Sequence, residues 1–271
     1  MIRLPILLAL FMTLANGDEG FQGNLNTLNI KPAALDPGSV SPYINSIDED
    51  LTAVFAKELL AAKQRLDPKL SKQEKNRQLH LWAEGENRKV RTLLQKSSES
   101  GSTPISKELM QRIFDSVRSN KAVKAENSEK YDKWGDMGFC FGRAALVHYL
   151  LLTNAVEQNR IAKIFAVGDL FYANSLWHFH IATMVKGEKG IWWVIDNLFE
   201  KPLTQSEWIE RATGFDIKKT LPQLRFYVTD PRKFQPAYGR YRLEEFNLPE
   251  LNRYFRDLFP PSRSLPQTKQ F

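Results

Sequence analysis

The stretch Trp134–Leu152, WGDMGFCFGRAALVHYLLL, holds the one cysteine of the 271-residue chain. Gly135, Asp136 and Gly138 punctuate the backbone before it, and Ala144, Leu146, Val147, Leu150 and Leu151 follow at helical spacing. That pattern predicts a helix opening at or just after Cys140 and running to about Asn159. A thiol at such a start meets the positive end of the helix macrodipole and N–H groups without intrahelical partners, which favour the thiolate. The same N–H groups suit a developing oxyanion. The competing reading is a packing cysteine, because free Cys is among the most buried residue types.

Downstream the pattern changes. The runs AKIFAVGD, WHFHIATMV, IWWVIDNLF and LRFYVT are short, aromatic and β-branched, and each reads as a strand. A leading helix followed by a mainly antiparallel sheet makes this region α+β. Upstream, Ser46-Ile-Asp-Glu49 has the spacing of a capping box before Leu51, Val54, Phe55, Leu59, Ala62 and Leu66. A second, charged helix is expected from Ser71 through Leu79, Trp82, Val90 and Leu94, and a third from Ile105 to about Ala122. A polar loop, Ser97–Thr103, separates them.

A thiolate enzyme needs a base, usually histidine held by a third polar group. Of four histidines, His80 lies on the charged upstream helix and reads as a surface residue. His148 stands eight residues beyond Cys140, about 12 Å at helical rise, too far for the first turn. His178 and His180 remain, on one face of the WHFHIATMV strand by its period of two. If Gly187, Glu188 and Lys189 form the loop to the next strand, Lys186 pairs with Gly190 and His180 falls directly opposite Asp196. A carboxylate there would hold the imidazole in the useful tautomer. His178 has no such partner in that register and reads, with Trp177 and Phe179, as a substrate-side or packing residue. Asp196, just before Asn197, has a plainer reading as the start of a turn.

The N-terminus pairs Arg3 with an apolar block from Leu4 to Leu14 and small residues before Asp18, the pattern of a signal peptide over residues 1–17. The block is too short to span a bilayer comfortably. Export makes an odd cysteine worth flagging as a reactive thiol. The net charge of +7 comes from interspersed signs without a dense basic block, so a nucleic-acid partner is not expected. The domain reading is residues 18–125 as a helical N-terminal region, 126–259 as the catalytic region and 260–271 as a tail.

CFGRA at Cys140–Ala144, WHFHIA at Trp177–Ala182 and WVIDNLF at Trp193–Phe199 resemble the protein-glutaminase family, secreted bacterial enzymes that hydrolyse the side-chain amide of protein-bound glutamine. The resemblance covers roughly residues 131–210, under a third of the chain. It implies a papain- and transglutaminase-like core with Cys140 as nucleophile, His180 as general base and acid, and Asp196 as the orienting residue. It also implies a thioester intermediate, a protein substrate with an exposed glutamine, no cofactor and no metal, and a secreted or periplasmic location with no membrane contact after leader removal. An N-terminal pro-segment belongs to the family pattern, and residues 18–125 would fill that part, with Ser97–Thr103 or Lys121–Lys130 as cleavage segments. Ala145 stands where the family is expected to carry histidine, which bears on substrate contacts.

The same three residues would serve a cysteine protease or a transglutaminase. Two further classes are a metal enzyme, with His178, His180 and Asp196 as ligands, and a non-catalytic binding module. The metal reading leaves Cys140 unexplained, and the binding module leaves the ordered Cys, His and Asp without a purpose.

Overall fold

A computed structural model describes residues 44–45, 49–95, 105–124, 128–131, 139–172, 175–215, 224–234, 236 and 248–259. The expected leader, the polar loop Ser97–Thr103, the turn at Gly135, Asp136 and Gly138, and the tail from residue 260 lie outside the described residues.

Helix α1, Leu51–Gln64, is capped by Asp50, whose side chain accepts from the N–H groups of Thr52 and Ala53. The cap thus sits one residue past the Ser46–Glu49 box expected from the sequence, and Ser46 is outside the described residues. Helix α2 spans Lys72–Gln95 and carries Gly85 without a break. Helix α3, Lys107–Ser119, is capped by Ser106 and turns Met110, Ile113, Phe114 and Val117 inward. A short turn, α4, covers Ser128–Tyr131.

Helix α5 begins at Cys140 and ends at Thr153, six residues short of the expected Asn159. Ala155 there adopts a left-handed φ of 59°, which a continuing helix cannot accommodate. The strands follow as β2 (Ile161–Tyr172), β3 (Ser175–Lys186), β4 (Trp192–Ile195) and β5 (Leu203–Thr204), then helix α6 (Gln205–Thr213), β6 (Arg225–Thr229) and helix α7 (Leu248–Leu258). With β1, Ile44–Asn45, they form one six-stranded sheet in the order β1-β6-β2-β3-β4-β5. Only the β1–β6 pair is parallel. The protein is therefore α+β, with helices ahead of an antiparallel sheet.

Strand alternation divides the core in two. Ala162, Ile164, Ala166, Ala182, Met184, Val194, Phe226 and Val228 face one way, where Trp208, Ile209 and Ala212 of α6 cover them. Ile161, Val185 and Ile195 face the other way, toward Leu146, Val147 and Leu151 of α5, the inner face of α3, and Tyr254 and Leu258 of α7. A third cluster joins Leu51, Cys140, Ala144, Phe165, Val167, Ile181 and Tyr227, with Val54 and Phe55 of α1 packed against it. The helix carrying the cysteine, the middle of the sheet and the first described helix thus meet around the thiol.

Candidate active site

Cys140 sits in the first turn of α5, preceded by Phe139 in the left-handed region at φ 46° and ψ 24°. A bulky residue there is strained and persists only where the surroundings enforce it. The Phe139 ring is stacked on Tyr254, ring centres 4.0 Å apart. Tyr254 also lies over Gly142, where an added Cβ would come within 2.7 Å of its hydroxyl oxygen. The glycine of CFGRA is therefore required by the close approach of α7. Gly142→Ala is expected to destabilise the fold by about 1–3 kcal/mol through overpacking, measured by denaturant unfolding.

A buried polar node fixes α5 one turn further on. Thr183 Oγ1 donates to the Ala144 carbonyl at 2.7 Å, and Lys163 Nζ donates to Thr183 Oγ1 at 2.8 Å. Burial pulls the Lys163 amine well below its ordinary range, against the raising influence of the Asp230 charge. The Phe139 carbonyl accepts from the N–H groups of Gly142 and Arg143. The N–H groups of Cys140 and Phe141 have no backbone partner among the described residues, as the first turn of a helix dictates.

The expected hairpin register is corrected by the structure. Residues 188–190 form a single 3₁₀ turn, Gly187 N–H donates to the Ile191 carbonyl, and Lys186 pairs with Trp192 instead of Gly190. The strand pairing is therefore displaced by two residues, and extending it sets Asp196 beside Ala182. A shift of two keeps the side-chain face, whereas a shift of one would have reversed it. His180 and Asp196 thus meet diagonally on one face, with Nε2 2.7 Å from Oδ2. Both residues are buried.

Asp196 has further donors. Trp208 Nε1 of α6 donates to Oδ2 at 2.8 Å, and Leu198 N–H donates to Oδ1 at 3.1 Å. Burial alone would raise the Asp196 carboxyl, but the charge and hydrogen bond of His180, with these two donors, bring it below its ordinary value. Trp208 and Trp177 both stack with the imidazole, ring centres 5.9 and 5.7 Å away. Trp208 escaped the sequence reading although its signal was present: Thr204 and Glu207 form a reciprocal capping box that opens α6 and aims Trp208 inward.

Cys140 and His180 come together where β4 ends. Pairing of β3 with β4 stops at Thr183, so Ile181 lies past the last partner, and its N–H donates to the Cys140 sulfur. Burial raises the thiol, but the hydrogen bond and charge of His180, with Arg143 and the Ile181 N–H, bring it below its usual value. The imidazole shifts the opposite way. Burial pulls it down, yet Asp196 and the Cys140 sulfur together push it up to about 9. Asp196 occupies Nε2, the buried Nδ1 has no aligned hydrogen-bond partner among the described residues, and His180 and the Cys140 thiol each shift the other's protonation. The two groups thus shift in opposite senses, the thiol down and the imidazole up, each favouring the other's charged form.

The remaining candidates fall elsewhere. His178 is 70% exposed and lies 3.3 Å from Asp169. The pairing of β2 with β3 slips there, with Gly168 and Asp169 facing His178 across a bulge. His178, His180 and Asp196 do not converge, so the metal-ligand set considered from the sequence is not assembled. Trp177 and Phe179 are half-buried, the first against His180 and the second in the Cys140 cluster. His148 is buried against Phe234, away from the thiol, and His80 is half-exposed beside Glu84 at 3.1 Å.

Residues 110–212 match the glutaminase family. The match bears out the likeness to protein-glutaminases carried by CFGRA, WHFHIA and WVIDNLF, and it includes Cys140, His180, Asp196 and Trp208. It begins inside α3 and ends inside α6, so β6 and α7 fall outside the glutaminase match. The NMR structure of protein-glutaminase from Chryseobacterium proteolyticum is 19% identical and covers 55% of this chain and 84% of its own, with a TM-score of 0.37. No curated protein matches the chain.

Proposed function

We propose that this protein is a cysteine amidohydrolase that deamidates protein-bound glutamine, with Cys140, His180 and Asp196 as its catalytic residues. What supports the reading is the buried Asp196–His180 contact at 2.7 Å, together with the influence of the same imidazole on the Cys140 thiol at a helix start. The glutaminase match favours side-chain amides over the main-chain bonds of a protease and the amine acceptors of a transglutaminase.

In this mechanism the Cys140 thiolate attacks the carboxamide carbon and a C–S bond forms. The N–H groups of Cys140 and Phe141 hold the oxyanion, and His180 passes its proton to the departing nitrogen, which leaves as ammonia. Water then attacks the thioester while His180 takes its proton, and glutamate is released. Asp196 keeps the imidazole oriented and stabilises its charged form. Trp208 fixes Asp196, so Trp208→Phe is expected to lower kcat roughly tenfold, the worth of one hydrogen bond to a charged group. A coupled ammonia assay would measure it.

The chain as folded is covered. Cys140 is only 4% exposed, and α1 shares its apolar cluster, so substrate reaches it only when α1 moves. Residues 18–125 are the family-implied pro-segment, but α3 packs into the core with α5 and the glutaminase match starts at residue 110. Both favour α1 and α2 as the covering part and cleavage within residues 96–104 over cleavage at Lys121–Lys130. Export by the leader at residues 1–17 completes the proposal. No helix among the described residues is long and apolar enough to cross a membrane.

The test is ammonia release from casein or a glutamine peptide, by the intact chain and by the chain nicked within 96–104, with Cys140→Ser as control. Nicking should raise the rate, and product mass spectra should show amide-to-acid conversion without cutting or cross-linking. No release under either condition would sink the deamidase reading.

A further inference from the structure

The sheet face that holds Cys140 ends in a cation that the proposed chemistry does not use. Tyr227 of β6 belongs to the Cys140 cluster, and Arg225, two residues along the same face, is 5% exposed. Their anion comes from α1: Glu58 Oε2 accepts from Arg225 Nε at 2.9 Å and from the Tyr227 hydroxyl at 2.9 Å. Asn87 Oδ1 of α2 accepts from Arg225 Nη1 at 2.8 Å, and the guanidinium lies 5.8 Å from the Trp82 ring. Glu86 stands 4.0 Å from Arg225 Nη2. Leu51 and Glu58 are seven residues apart on α1, about 10 Å along the axis. The helix that covers the nucleophile thus lays apolar side chains beside Cys140 and a carboxylate two turns away.

We propose that Arg225 and the Tyr227 hydroxyl form a substrate subsite for an acidic residue, filled by Glu58 in the covered chain and by a substrate carboxylate about 10 Å from the reactive glutamine after α1 moves off. This rests on the deamidase reading above. When α1 leaves, a guanidinium fork and a phenol lose their shared anion in a partly apolar setting, which is costly until another carboxylate arrives. Burial keeps the Tyr227 phenol protonated and so a donor. A separation of about 10 Å corresponds to three residues in an extended substrate or two turns of a helical one. The net charge of +7 also favours the approach of acidic proteins. Both residues lie beyond the glutaminase match at 110–212, so the subsite would belong to this chain and not to the matched core.

The experiment uses the full chain nicked within 96–104 and a set of glutamine peptides, each carrying one glutamate at two to seven residues on either side. Alanine and lysine peptides serve as references. The expected result is a kcat/KM advantage of about tenfold for glutamate at one favoured spacing, the scale of a charge-assisted hydrogen bond. That advantage should shrink with added salt and fall to about unity in Arg225→Gln, while Arg225→Lys keeps part of it. Equal rates for the glutamate, alanine and lysine peptides would overturn the subsite while leaving the deamidase intact. No release from any peptide would overturn both. Should Arg225→Gln fail to fold, the wild-type ratio and its salt dependence decide the matter.

Discussion

Alanine in place of His180 is expected to lower kcat/KM on a glutamine peptide by about 10⁴-fold or more, the scale of losing a triad base. The reason lies in the balance of forces at the thiol. Burial pushes Cys140 up, and the imidazole is the first of the groups that bring it down. With the ring gone, burial dominates, the thiol stays protonated at neutral pH, and the attacking species is lost together with the proton donor for ammonia. Alkylation of Cys140 by iodoacetamide should slow in parallel, because the thiolate is the reactive form. Deletion also strips Asp196 of its cation inside the core, a loss that can cost several kcal/mol. His180→Gln, which leaves an amide near Asp196, separates loss of chemistry from loss of fold. If either variant folds and keeps wild-type ammonia release, the assignment of His180 fails.

The sheet region was the most legible part of the chain. Its strands announced themselves through aromatic and β-branched runs, and the helix start through Gly135, Gly138 and the spacing after Cys140. What the residues could not specify was geometry set by tertiary contacts. The β3–β4 register depended on whether residues 188–190 would form a 3₁₀ turn, a choice that local composition does not make. The meeting of His180 with Asp196 survived that error only because the displacement was even. The exposure of His178 follows from a bulge in the neighbouring strand, invisible in its own sequence. Trp208 was legible through Thr204 and Glu207 but not read, since nothing near it suggested chemistry. Tyr254 and Arg225 act through contacts with elements more than 80 residues away in sequence, and no local pattern carries such information. The same holds for α1: its apolar stripe marked a buried face but not that the face shares a cluster with the thiol.

Asp196→Asn is the second large effect, and its signature is a displaced pH profile. The carboxylate leads the influences that raise His180, against the lowering effect of burial, and the ring holds its proton up to about pH 9. In the wild type the alkaline limb of kcat/KM should therefore fall near pH 9, where the imidazolium that protonates ammonia is lost. The acid limb marks protonation of the thiolate, below the usual thiol range. An asparagine removes the charge, so burial pulls the imidazole back down and the alkaline limb moves to lower pH. At neutral pH the loss is expected to be about 10³–10⁴-fold, from wrong tautomer and lost charge together. Stability follows the same sign. A histidine raised above its unfolded value stabilises the fold fully below about pH 6.5 and loses that contribution as pH rises through about 9. Asp196, depressed below 3.8, contributes above that value and loses its share as pH falls through its lowered pKa. Wild-type melting temperatures should therefore hold up to about pH 6.5, fall between about pH 6.5 and about pH 9 and level off above it, whereas Asp196→Asn should lack that alkaline fall. An unchanged alkaline limb in the variant would show that Asp196 does not govern His180, and the proposed triad would lose its third member.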